Sequence, residues 1–153
     1  WIRGHRADYD DWGQVAPGWG WDEVLPAYRA IEDNEAGEDA FRGKGGPLFI
    51  SQNRKGLHWL VEDYIAACGE AGLPYNADFN GAEQEGAGTY QMTIKGRRRN
   101  SAARSFLRPA MRRKSLSVVT GAQVTRVLFE GRRAVFDILR ATGELTLHLS
   151  RKG

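Results

Sequence analysis

The apolar residues of this chain change their spacing part-way along it. Leu57, Leu60, Val61, Tyr64, Ile65 and Cys68 recur three and four apart, which places them on one face of a helix that Gly72 would end as a left-handed cap. The last third instead carries short strand-like runs: Val118-Val119, Val124 to Phe129, Ala134 to Leu139 and Leu145 to Leu149. They are separated by Gly121, Glu130-Gly131-Arg132 and Ala141-Thr142-Gly143, and turns this short imply an antiparallel meander. Both periods within 153 residues predict an α+β chain with several helices, an antiparallel sheet and a β-meander.

Between these landmarks the sequence is punctuated by its 19 glycines, more than the usual ~7%. Trp21, Val24, Leu25, Tyr28 and Ile31 share a helical face, with Asp22 available as N-cap and Pro26 expected near the first turn. Gly43 to Pro47 reads as a loop leading into an edge strand, Leu48-Phe49-Ile50. Asn80-Gly81 is a turn pair inside a polar, Gly-rich stretch, and Tyr90 to Ile94 reads as a strand. Asn100 or Ser101 is expected to cap a short helix through Leu107 that Pro109 interrupts.

Several chemistries are excluded by counting. The length suits one domain, and a composition 41% hydrophobic and 27% charged is neither disordered nor membrane-like. No apolar run approaches the roughly 18 residues of a membrane span, so a soluble, cytoplasmic chain without a transmembrane segment is expected. The lone Cys68 rules out an internal disulfide or a CxxC pair, and its place on the apolar stripe reads as a buried structural thiol. His5, His58 and His148 lack metal-ligand spacing, and His148 alternates with leucines so as to face solvent or a neighbouring module. GxSxG, P-loop and GxGxxG patterns are missing. Carboxylates cluster at Asp8, Asp10 and Asp11 and at Asp78, Glu83 and Glu85; they are acid/base candidates or solvated loop residues.

Charge is segregated. Lys95, Arg97, Arg98, Arg99, Arg104, Arg108, Arg112, Arg113, Lys114 and Arg126 fall between Gly86 and Phe129 with no acid among them, leaving the rest of the chain net acidic. Such a block suits a phosphate or nucleic-acid surface. It equally suits docking against acidic stretches of the same protein, such as Glu32 to Glu35 and Glu38-Asp39, and no nucleic-acid-binding motif accompanies it.

The segments WIRGHRADYDDW, GWGWDEVLPAYRAIED, GGPLFIS, ADFNGAEQEGAGTYQ, KGRRRNSAARSFLRPAMRR and LSVVTGAQVTRVLFEGRRAV occur in an order that resembles the glucose-methanol-choline (GMC) oxidoreductases. The likeness runs from Trp1 to about Val135 and is greatest to the bacterial choline or alcohol dehydrogenase-like branch. It implies an FAD-binding module of Rossmann type joined to a substrate module on an antiparallel sheet, and hydride transfer from an alcohol carbon to flavin while a histidine takes the hydroxyl proton.

By the same resemblance, residues 1–50 correspond to a lid-like and linking segment after the flavin loop, 51–114 to part of the substrate-binding module, and 115–153 to a meander returning to the FAD module. Cofactor-side positions are Val124, whose backbone would contact the adenine, with Trp1, Gly4 and His5; Tyr90 and Gln91 lie on the substrate side. Val124 reads equally as a core valine, Trp1 as a buried aromatic and Tyr90-Gln91 as a sheet pair. The catalytic set falls outside the chain, which is expected to be an internal fragment of the enzyme, with the remaining FAD-binding and catalytic segments as its partners. Alone it is expected neither to retain FAD nor to oxidise a small-molecule alcohol, and to bind no specific nucleic acid. A phosphate or nucleic-acid module and a stand-alone interaction domain are the alternatives. One departure is visible: the family runs from Arg-Ala-Val into Gly-Val, whereas here Phe136-Asp137 follow, which should disturb the local strand pairing.

Overall fold

The computed structural model describes residues 1–52, 56–116, 118, 120–121, 123–141 and 143–148. Two compact units divide the chain, Trp1–Ala110 and Met111–Gly153.

The first unit opens with helix α1, Arg6–Val15, which the sequence reading did not anticipate. His5 is its N-cap, with Nδ1 accepting the Ala7 N–H at 3.2 Å, and Asp8 in the first turn complements the helix dipole. Helix α2 spans Trp21–Ile31 and begins two residues earlier than expected, with Gly20 rather than Asp22 at the N-cap. Glu23 reaches back to the Gly20 N–H at 2.9 Å, and Asp10 of α1 accepts the Trp21 N–H at 3.0 Å. Pro26 therefore lies inside the helix, past its first turn. The two helices pack through aromatic rings: Tyr9 lies 5.7 Å from Trp21, and Trp12 meets Trp19 edge-on at 5.9 Å.

Strand β1, Glu32–Asn34, follows α2 directly and pairs in parallel with β2, Leu48–Ile50. The loop between them turns tightly under the end of α2. A Cβ at Gly43 would sit 1.7 Å from the Arg29 carbonyl oxygen, and one at Gly46 2.3 Å from the Ile31 carbonyl carbon, so only glycine fits at either place. Leu48 and Ile50 belong to a small core with Tyr9, Trp21, Phe79 and Ala87.

Helix α3, Trp59–Glu70, carries the expected stripe, and Gly72 closes it at φ +89° while Leu73 donates to the Cys68 carbonyl at 2.9 Å. Its burial is not as expected. No residue of α3 is buried, Leu60 and Tyr64 are 51% and 70% exposed, and Cys68 is a half-buried free thiol.

The run Tyr90 to Ile94 is not one strand. Met92 bridges Ser51, and Ile94–Lys95 (β3) pairs with Arg98–Arg99 (β4) in a two-residue hairpin. Beyond it Ser101 accepts the Arg104 N–H, Ala103–Leu107 form a π-helical turn, and Arg108–Ala110 (α4) continue it. Pro109 thus does not end the helix. Arg108 donates to the Ala103 carbonyl in the wide five-residue register, and the proline is absorbed just after it.

The second unit is the meander β5 (Gln123–Glu130), β6 (Arg133–Ala141) and β7 (Gly143–His148), in that spatial order and antiparallel throughout. Leu128 faces Phe136 while Phe129 faces Ala134, which leaves Val135 as an extra residue on β6. Phe136 itself keeps a partner on each side, Leu128 and His148, so the strand pairing placed in doubt there is retained. Val119, Thr142 and Leu149, read above as strand and turn residues, lie outside the described residues. Among the described residues, no helix is long and apolar enough to cross a membrane.

Candidate functional site

The segment Trp1 to His5 runs through a buried polar network that ties distant parts of the first unit together. Arg3 is 4% exposed and Glu32 fully buried; Arg3 Nη2 meets Glu32 Oε1 at 2.6 Å. The same carboxylate oxygen accepts Trp1 Nε1 at 2.8 Å, and Oε2 accepts the Gly43 N–H at 3.2 Å. Arg3 Nη1 donates to the Phe41 carbonyl at 2.6 Å, and the guanidinium lies 5.3 Å from the Tyr28 ring centroid. A buried charge pair is tolerated only when its remaining donors and lone pairs are met, and here most of them are.

The backbone of this segment is equally engaged. Asn80 Oδ1 accepts the Arg3 N–H at 2.7 Å, Gln84 donates to the Arg3 carbonyl at 3.0 Å, and Tyr9 Oη accepts the Gly4 N–H at 3.3 Å. The Trp1 nitrogen donates to the Gln91 carbonyl, and Asn80 Nδ2 donates to Gln91 Oε1 at 2.9 Å. Asp78 fixes the far side, accepting Gln91 Nε2 at 3.1 Å and pairing with Arg42 at 2.7 Å. Tyr9 and Tyr28 share a 2.6 Å hydroxyl contact; burial, with that bond, pushes the Tyr28 phenol up to about 12.

The structure therefore brings Trp1, Gly4 and Gln91 into one bonded unit. Gly4 is closely packed, since a Cβ there would lie 3.0 Å from the Tyr9 ring and the ring would have to give way. His5 is exposed, with one ring nitrogen used as a helix cap. Tyr90 is 55% exposed and its ring lies tilted against Phe79, with centroids 4.9 Å apart. Val124 belongs to the other unit, on β5, where its backbone pairs with Leu139 beside a register shift. As an outer strand of the three-stranded sheet, β5 carries backbone donors and acceptors not used by β6, the kind of group an adenine edge can pair with.

A cavity of about 120 Å³ opens beside Gly4 and His5, lined also by Arg6, Asn80 and Gln84. At roughly 30 Å³ per water it has room for a few solvent molecules, far less than a dinucleotide needs. The residues of this unit could thus supply one wall of a flavin site, in keeping with side chains already committed to one another. Among the described residues, no cluster of three metal-ligating side chains occurs.

Reading the sequence missed Arg3, Glu32, Asn80 and Gln84. Glu32 belongs to an acidic stretch read as a docking surface for the basic block, yet its partner is Arg3 from outside that block, while its neighbour Asp33 meets Lys95 of the block at 3.7 Å and Lys44 at 3.0 Å. Asn80 was read only as a turn residue. The one available signal was an arginine flanked by Trp1 and Ile2, a charge in apolar surroundings. The acid candidates Asp10 and Asp78 serve as backbone and side-chain acceptors within the fold.

A family model described as GMC oxidoreductase matches residues 1–144; it represents the N-terminal domain of that family, to which the stretch read as the family's middle belongs. The chain is 35% identical, over 97% of its length, to an oxygen-dependent choline dehydrogenase of Brucella anthropi, and 40% identical, over 88%, to an alcohol dehydrogenase [acceptor] of Pseudomonas putida. It spans only 29% and 24% of those two proteins. The crystal structure of pyridoxine 4-oxidase from Mesorbium loti superposes with a TM-score of 0.87 at 34% identity, over 97% of this chain and 30% of that one. An FAD-dependent oxidoreductase from Chaetomium thermophilum gives 0.85 at 25% identity, over 98% and 29%.

Proposed function

Because the chain belongs to the GMC oxidoreductase family, we propose that it serves as one part of an FAD-dependent enzyme that oxidises an alcohol to a carbonyl compound. The observation that carries this reading is the family match over residues 1–144, with relatives named as choline and alcohol dehydrogenases. FAD, when bound, would accept the hydride leaving the carbinol carbon, and a base elsewhere in the enzyme would take the hydroxyl proton.

The chain's own contribution is binding and orientation. The backbone of Val124 on the outer strand β5 suits a contact to the adenine, and Trp1, Gly4 and His5 form a fixed wall on the flavin side. Exposed Tyr90, held against Phe79, and buried Gln91 form the substrate-side segment that leads into the Met92 bridge. In these terms 1–50 is the lid-like and linking segment, 51–114 part of the substrate module and 115–153 the return to the FAD module. The further reading is that this stretch by itself neither retains FAD nor oxidises an alcohol, since its sequence holds no GxGxxG turn for a pyrophosphate. Partners are then the alcohol and the remaining segments of the enzyme, with nucleic acid bound only as any basic surface binds it.

The experiment is to purify the whole enzyme and this stretch separately, record the flavin absorption bands, and add choline, benzyl alcohol or 1-butanol anaerobically. A yellow whole enzyme bleached by one of these alcohols, beside a colourless stretch, is expected. A colourless whole enzyme would overturn the reading.

A further inference from the structure

Asn80 lies where the two proposed faces meet, and every hydrogen-bonding atom of its side chain is used. Oδ1 accepts the Arg3 N–H at 2.7 Å, while Nδ2 donates to Gln91 Oε1 at 2.9 Å and to the Trp1 carbonyl at 3.3 Å. Its backbone N–H donates to Asp78 Oδ1 at 2.9 Å, the same oxygen that accepts Gln91 Nε2 at 3.1 Å. Asn80, Gln91 and Asp78 therefore close a ring of hydrogen bonds, 4% exposed at both Asn80 and Gln91, that grips the Gln91 amide from both ends. Trp1 and Arg3 are fastened to it across 79 and 77 residues of sequence.

We propose that Asn80 is a positioning residue that holds the Trp1–His5 segment in register with the Tyr90–Gln91 segment, so that the flavin-side and substrate-side faces keep a fixed relation. The inference rests on the reading of those faces given above. The chemistry selects asparagine: an aspartate offers no donor to Gln91 or to the Trp1 carbonyl, and a serine is too short to span Arg3 and Gln91 at once. The role is separable from folding, because the Arg3 guanidinium is anchored independently by Glu32 and the Phe41 carbonyl. Losing Asn80 should leave the segment attached while freeing its register.

The test uses the whole flavin-bearing enzyme with Asn80→Asp, Gln91→Met and the double variant, reading FAD dissociation and the visible circular dichroism of the bound flavin. Each single variant should weaken FAD retention about tenfold and alter the flavin dichroism. The double variant should resemble either single one rather than multiply their effects, since both break one chain of contacts. Ile50→Val, in the buried core, provides the comparison: it should lower the melting temperature and leave the dichroism of the flavin unchanged. Wild-type retention and dichroism in the single variants, or multiplying effects in the double one, would overturn the proposal. Should Asn80→Asp not fold, Gln91→Met decides alone, because it cuts the same link. A colourless wild-type enzyme would instead strike the functional reading, and this inference with it.

Discussion

The Trp1–Arg3 segment and helix α3 invert the usual rule of which residues go inside. The segment buries a guanidinium and, against it, a carboxylate that is fully enclosed. Helix α3, with the most regular apolar stripe in the sequence, leaves Trp59, Leu60 and Tyr64 between 51% and 70% exposed. In this unit, therefore, hydrogen bonds between residues far apart in sequence decide what is fixed, and apolar spacing decides only what is helical. Burial needs a partner surface, and a stripe on one helix does not specify one.

The contrast is broken most severely at Glu32. Glu32→Gln keeps the size and removes the charge, stranding the Arg3 guanidinium and setting an amide donor against the Gly43 N–H or the Trp1 indole. Breaking a buried pair on one side costs about 3–5 kcal/mol. The denaturant midpoint of the chain should fall accordingly, and the paired replacement Arg3→Met with Glu32→Leu should recover much of the loss because no charge is left alone. Equal midpoints for Glu32→Gln and wild type would mean the pair is solvated and the contrast false.

What could be read beforehand follows the same division. Local patterns were legible: the α3 period with its Gly72 cap, the Leu48–Ile50 strand, and the meander. Helix α1 was not, because its acids at Asp8, Asp10 and Asp11 obscure the apolar pattern and His5 is an unusual cap. Nor was the parallel pairing of β1 with β2, since three residues of Glu-Asp-Asn look like a solvated turn until Glu32 finds Arg3. Trp1, Gly4, His5, Tyr90, Gln91 and Val124 entered through family resemblance. Asn80, which joins the first group to Gln91, has its partners 77 and 11 residues away, and no local pattern records such contacts.

A smaller effect is expected at the Tyr9–Tyr28 pair, at the border between the polar network and the aromatic core. Below pH ~10 the phenol is protonated in both folded and unfolded chains, and its 2.6 Å bond contributes fully. Between pH ~10 and about 12 the unfolded Tyr28 ionises while the folded one resists, so stability declines as pH rises through that window. Tyr28→Phe should cost about 0.5–1.5 kcal/mol at neutral pH and flatten the alkaline decline. Denaturation midpoints at pH 8, 10 and 11 would check both; an unchanged alkaline slope in the variant would assign the loss to other groups.

The least effect is expected on α3, and its smallness is the point. Leu60→Ala and Tyr64→Ala remove large apolar side chains from the best stripe in the sequence, a change that costs about 2–5 kcal/mol where such a residue is buried. At 51% and 70% exposure little area returns to water, and alanine favours the helix slightly over both residues. Both variants should therefore unfold within about 0.5 kcal/mol of wild type. Ile50→Ala, fully buried on β2, should show the full core penalty in the same assay. A loss above about 2 kcal/mol from Leu60→Ala would place the stripe against a surface and make α3 part of the core, as its spacing alone predicts.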